Sequence, residues 1–183
     1  MPWEGAANWI DPKLSMSTIQ VRPKLWGYPQ EEVIAHELVH AMRQKLNATQ
    51  FEEILAFITT KNRFRRTIGP LFSRPWETSL FVLTLAAAWI GTIFEWYWII
   101  LLPLLFLGGM LLRLFASRRQ LNACLKNLKQ AIKDPDKALA VALRLTDQEI
   151  THFARIDSKQ IRDYAHREKV HHLRWQQIVL AYY

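Results

Sequence analysis

Only one cysteine, Cys124, occurs in the 183 residues, so no internal disulfide staples the chain, and thiol usage points to a reducing compartment. The opening Met1-Pro2-Trp3-Glu4 has neither a basic start nor an apolar run behind it, so no secretory signal peptide is expected there. The net charge is +8, yet no nucleic-acid-binding motif accompanies it, and no nucleic-acid partner is expected. Acids are missing after Phe57, where Lys61, Arg63, Arg65, Arg66 and Arg74 follow one another. Charge of either sign is almost missing from Thr78 to Leu112, where Glu95 stands alone.

That last gap explains an apparent contradiction in composition. Half of the residues are apolar while the mean hydropathy is near zero, so the apolar residues must be concentrated. They form two runs, Thr78–Phe94 and Trp96–Leu112, each spanning roughly 26 Å as a helix, enough for a bilayer core. Glu95 marks the turn between them, and Trp76, Trp96, Tyr97 and Trp98 sit where interfacial aromatics belong. Pro103 and the Gly108-Gly109 pair are compatible with a membrane helix that kinks or packs closely. Basic residues flank both open ends, with Arg113, Arg118, Arg119 and Lys126 following the second run, which predicts both termini cytoplasmic and the Glu95 tip outside. A shallow re-entrant hairpin is the alternative topology.

Upstream lies Val33-Ile34-Ala35-His36-Glu37-Leu38-Val39-His40-Ala41-Met42-Arg43, which contains His-Glu-x-x-His. Histidines four apart stack one turn above the other on a helix, so two neutral imidazoles can hold one zinc ion. Glu37 would then take a proton from water activated by that ion. Ile34, Ala35, Leu38, Val39, Ala41, Met42 and Leu46 form a broad apolar stripe, predicted to be the buried face, with His36, Glu37 and His40 away from its centre. Pro29 and the acids Glu31 and Glu32 suit a helix start, and the helix is expected to run to about Leu46. Asn47 would close it in a left-handed conformation. Thr49 with Glu52 three residues later has the form of a capping box opening a second helix. Glu52 is thereby assigned to the cap, and Glu53 is left as the candidate third zinc ligand. His40 lies roughly 9 Å before the turn and Glu53 roughly 4–5 Å after it, so the helices must cross at an angle.

His36-Glu37-Leu38-Val39-His40 followed by Glu53-Ile54-Leu55-Ala56 resembles the gluzincin clan of zinc metallopeptidases over about thirty residues. In that clan a downstream helix supplies a glutamate ligand, often with a small residue three positions later, here Ala56; Phe57 stands where several members place an aspartate. The resemblance implies zinc held by His36, His40 and Glu53, with Glu37 as the general base. Intramembrane zinc proteases, by contrast, place the motif within an apolar span. Here the motif helix carries Glu31, Glu32, Arg43 and Lys45 and belongs in water or at the headgroups.

The rest of the chain frames this site. Residues 1–17 read as loop, and Ser17–Arg22, ending at Pro23, as a short edge strand that either covers the helix or pairs with an extended substrate. Helices are expected over Gln120–Lys133, broken by Asp134-Pro135, then over Lys137–Leu145, then from a Thr146/Glu149 capping box to about Arg155, with a last helix capped by Ser158. His152, His166, His171 and His172 have no metal-ligand spacing. The fold expected is mainly α: a minimal zincin-like domain over 1–77 (edge strand, motif helix, glutamate helix), a transmembrane or re-entrant hairpin over 78–112, and a basic helical domain over 113–183. The function expected is an integral-membrane zinc metallopeptidase. The alternative is a non-catalytic membrane adaptor whose C-terminal helices bind a protein partner.

Overall fold

The computed structural model describes residues 6–11, 16–21, 29–46 and 48–182, and these are mainly helical. Strands β1 (Ala6–Asp11) and β2 (Met16–Val21) pair antiparallel, Ala6 opposite Val21 and Asp11 opposite Met16. The loop expected over 1–17 is thus corrected at Ala6–Asp11. A lone strand leaves its N–H and C=O groups unpaired, and β1 supplies the ladder that β2 requires. Both strands lie against helix α1 (Gln30–Arg43), which follows Pro29 with Glu31 and Glu32 in its first turn and tightens into a 3-10 turn over Gln44–Leu46. Asn47 and Arg22 lie outside the described residues.

The face that α1 buries differs from the one the apolar stripe predicts. Val39 and Arg43 are buried, whereas Ile34, Leu38 and Met42, a row at i, i+4 and i+8, are exposed. The reason is Arg43, whose guanidinium donates to the carbonyls of Leu143 (3.2 Å) and Leu145 (3.0 Å) and pairs with Asp147 (3.2 Å). Turning Arg43 inward rotates the inner face of α1 toward the C-terminal helices and carries the outer half of the stripe into the open.

Helix α2 (Glu52–Ile58) lacks the capping box expected of Thr49 and Glu52; its N-cap is Phe51, without a side-chain cap bond. The approach to α2 is held from a distance instead, since Asp147 Oδ2 accepts the backbone N–H groups of Thr49 (2.8 Å) and Gln50 (2.7 Å). Phe51, Leu55 and Ala56 are then packed into the core. Helix α3 (Arg63–Ile68) is capped by Asn62, which accepts from Phe64 and Arg65.

Helix α4 (Pro75–Ile93) and helix α5 (Leu101–Ile132) form the hairpin, joined through Glu95 in a left-handed conformation (φ 60°) and a 3-10 turn over Tyr97–Ile100. Both are long and apolar enough to cross a membrane, and their large apolar side chains face outward: Leu83 is 64% exposed, Trp89 71% and Leu105 70%. Glu77 is buried at the base of the hairpin, where Arg113 pairs with it and the Ser73 and Arg74 N–H groups donate to it. Pro103 falls in the first turn of α5, so it introduces no kink.

The helix that holds the second apolar run does not stop at Leu112, nor does a separate helix begin at Gln120. Helix α5 is continuous over 32 residues, roughly 48 Å. Polarity changes along it, but helical backbone hydrogen bonding does not. Its buried residues Leu114, Ser117, Leu121, Cys124, Leu128 and Ala131 recur at alternating steps of three and four, one stripe facing the remaining helices. These are α6 (Pro135–Ala142), α7 (Asp147–Phe153), α8 (Ser158–Glu168) and α9 (Leu173–Tyr182). Lys133 in a left-handed conformation and Asp134 as N-cap make the expected break, and the Thr146/Glu149 capping box is present. Asp157, not Ser158, caps α8, and the expected last helix is two, parted at Lys169–His172.

Trp175, Phe153, Ile161 and Ile178 fill the bundle, and its one buried carboxylate among the described residues, Glu149, accepts from Arg174 (2.6 and 2.8 Å), Trp175 Nε1 (2.9 Å) and the Thr146 N–H (2.7 Å). Burial alone would push this carboxyl up, but these donors outweigh it and hold it below the usual carboxylate range. Its stabilisation is therefore complete above the unfolded-state value of about 4.5 and is lost as pH falls through the depressed folded value. Glu149→Gln is expected to lower the thermal midpoint at neutral pH and to flatten its decline on acidification; an unchanged acid limb would exclude Glu149 as its source. Arg43→Ala is expected to cost about 3–5 kcal/mol by stranding buried carbonyls and Asp147, and Lys should rescue it poorly because one ammonium cannot fork to them. Thermal unfolding of the full chain in detergent measures both, and a wild-type midpoint in Arg43→Ala would show that this contact contributes nothing.

Candidate metal centre

Helix α1 projects His36 and His40 on one side because they are four residues apart, and α2 crosses there to present Glu53. One ligand atom from each of the three lies within 4.8 Å of the others. The Nε2 atoms of His36 and His40 are 3.1 Å apart; Glu53 places Oε1 3.5 Å from His40 Nε2 and Oε2 3.8 Å from His36 Nε2. Two ligand atoms bound at about 2.0–2.1 Å in tetrahedral directions would stand roughly 3.3–3.4 Å apart. The His–His edge and the two Glu53 contacts, one from each carboxylate oxygen, lie near that value, so this His-His-Glu group can close on a small divalent ion.

Glu52 has a second use that its capping pattern concealed. Its Oε1 lies 2.8 Å from His40 Nδ1. A carboxylate on Nδ1 fixes the tautomer and aims Nε2 at the metal, the arrangement that makes histidine a strong ligand. His36 is steadied differently, by a hydrogen bond to the Ala56 backbone and by the Phe57 ring, packed edge-on at 4.7 Å between centroids. Phe57 in turn leans on Gly69, where a Cβ would collide with the ring, so only glycine leaves this stack its space.

The two imidazoles are electrostatically unlike. Burial, then the neighbouring His40, lowers His36 to about 4, despite the Ala56 hydrogen bond. Burial also pulls His40 down, but the Glu52 hydrogen bond and the charges of Glu53, Glu52 and Glu37 outweigh it, and His40 is raised. A divalent cation between the two Nε2 atoms would leave the His40–Glu52 bond in place. Glu53 is raised by burial, against the lowering effect of His40, and further by the nearby Glu52 and Glu37 charges. Three carboxylates crowded around two imidazoles favour a doubly charged guest. Glu37, half-buried, is also raised by burial and only partly brought back by His40. It lies close enough to feel His40 and to be felt by Glu53.

Of the predicted site residues, His36, His40 and Glu53 converge, and Glu37 stays outside that group on the same helix. Glu52 is the addition. The other histidines stay apart: His152 packs beside Phe153 and Tyr164, and His172 lies 3.5 Å from Glu168 one turn away.

The full chain is expected to bind about one divalent ion, with His36→Ala or His40→Ala abolishing stoichiometric binding and Glu52→Gln weakening it about 10–100-fold. Chelator competition with elemental analysis measures this; equal affinity in Glu52→Gln would remove its orienting role. Comparison with protein families, with curated proteins and with solved structures finds no match to this chain.

Proposed function

We propose that the chain is an integral-membrane zinc metallopeptidase that cleaves peptide bonds at the cytosolic membrane surface. The observation that carries this reading is the convergence of His36, His40 and Glu53 within 4.8 Å on two crossing helices, with His40 oriented by Glu52. Two nitrogens and one carboxylate oxygen suit zinc and leave coordination free for substrate. When bound, the ion would acidify water and polarise the scissile carbonyl.

The chain's own residues do the rest. Glu37, one residue beyond the first ligand, accepts a proton from water as its oxygen bonds to the carbonyl carbon. It then delivers that proton to the departing amine as the C–N bond breaks. Its raised pKa brings it nearer to neutral pH, where a carboxylate is a better base than an ordinary surface glutamate. Among the described residues the β1–β2 pair has no third strand, and its free edge beside α1 can take an extended peptide by backbone pairing. Bases flanking both open ends of the hairpin favour cytoplasmic termini, which puts the metal residues in the cytosol near the bilayer.

The second reading, a non-catalytic membrane adaptor, draws on the exposed Val170 (68%), Leu173 (69%) and Leu180 (88%) near the C-terminus, apolar surface suited to a protein partner.

Glu37→Gln separates the two readings. Zinc content is expected to stay at about one per chain while kcat/KM on peptide libraries, followed by mass spectrometry, falls about 10²–10⁴-fold. Undiminished cleavage would remove Glu37 from the mechanism. A zinc-loaded wild-type chain that cleaves nothing would leave the adaptor.

A further inference from the structure

A second polar site lies on the other side of α2. A half-open cavity of ≈ 230 Å³ forms where α2, α3 and α5 meet, lined by Ile54, Ile58, Arg66, Arg118, Leu121 and Asn122. Its chemistry is unbalanced. Two arginines line it, and no acid does. Among the described residues neither Arg66 nor Arg118 has a carboxylate partner, whereas Arg43, Arg113 and Arg174 each have one. The Arg118 Nη2 donates to the Arg66 carbonyl, which brings the second arginine's backbone onto the first, yet Arg118 Nε is buried with no acceptor. An unpaired buried donor of a charged group is costly, and an anion would satisfy it.

The height of the cavity on α5 narrows the choice of anion. Arg113, paired with Glu77, marks the base of the apolar hairpin, and Arg118 stands five residues further, roughly 7.5 Å along the helix. That is headgroup depth. On the hairpin side, Phe115, one turn before Arg118 on α5, is 54% exposed and offers apolar surface to acyl chains below the cavity. The apolar lining from Ile54, Ile58 and Leu121 suits the glycerol end of a lipid better than a fully hydrated ion.

We infer that the Arg66–Arg118 cavity is a binding site for the phosphate of an anionic phospholipid, its headgroup held between the two guanidiniums and its acyl chains along α5. The inference rests on the membrane placement proposed above and not on the metal. Arginine is suited to this role because its fork matches phosphate oxygens, and the acid-free stretch around Arg63 and Arg66 adds a field of the right sign.

The test uses the full chain, delipidated in a neutral maltoside detergent and unfolded thermally with phosphatidylglycerol, phosphatidylcholine or inorganic phosphate. Phosphatidylglycerol is expected to raise the midpoint saturably, by roughly 5–10 °C at a hundredfold excess over its Kd, while the other two leave it nearly unchanged. Arg118→Gln should abolish the shift. Arg66→Gln, at an exposed side chain whose carbonyl is kept, should do so without endangering the fold, and Arg119→Gln should retain it. Equal shifts from phosphatidylcholine, or a full shift in both Arg66→Gln and Arg118→Gln, would overturn the site. A shift from inorganic phosphate equal to that from phosphatidylglycerol would overturn the lipid assignment and leave a soluble phosphate as the ligand. None of these readouts involves zinc, so loss of the peptidase reading would leave the result standing.

Discussion

The burial of one guanidinium fixes much of this molecule. Arg43 sits one turn beyond His40 and ends among carbonyls about a hundred residues away, beneath the junction of α6 and α7. A buried arginine needs its terminal nitrogens answered, and Leu143, Leu145 and Asp147 answer Nη1 and Nη2, leaving only Nε without a partner. Because the guanidinium is rigid and forked, satisfying it sets the rotation of α1 about its axis. That rotation decides where His36 and His40 point. Asp147 uses its other oxygen to hold the chain entering α2, so one carboxylate indexes both helices of the candidate metal centre. The C-terminal helices are therefore structural partners of the motif rather than an appendage.

Helix α5 makes the second connection. Its first half is apolar and outward-facing beside α4, while its second half presents a three-four stripe to α6, α7 and α8. The side chain of Gln50 reaches Gln120 on it at 3.3 Å, and Leu55 on α2 shares the same core as Leu121. The metal ligands, the bundle and the hairpin thus lean on one rod. Helix α2 is only two turns long and would not persist alone, so its position is borrowed from Phe51, Leu55 and Ala56 in that shared core.

What could be seen in the sequence was local in origin. His36 and His40 at helical spacing, the two charge-poor runs parted at Glu95, the Asp134-Pro135 break and the Thr146/Glu149 box all rest on contacts within a few residues, and they appear as expected. The misses share the opposite property. Glu52 fits the Thr49-x-x-Glu52 pattern as well as it fits His40, and the choice is made by the crossing of α1 with α2. Arg43 looks like a polar-face residue because the carbonyls that bury it lie in a distant turn. The division between α8 and α9 carries neither proline nor glycine, and β1 lacks β-branched alternation, so neither has a local marker.

The same two-turn helix also ties the two candidate sites together. On one side α2 offers Glu53 to the imidazoles; on another it offers Ile54 and Ile58 to the arginine-lined cavity. A helix this short has little internal stiffness, and its neighbours set its tilt. The Glu53 oxygens stand 3.5 and 3.8 Å from one nitrogen each, so the tilt of α2 decides how closely Glu53 can approach an ion held by the imidazoles. That tilt is set by the packing of the neighbouring residues Ile54, Leu55 and Ala56, all of them buried. A ligand in the arginine-lined cavity that displaced Ile54 would displace Glu53 with it, because the two are adjacent on one short helix.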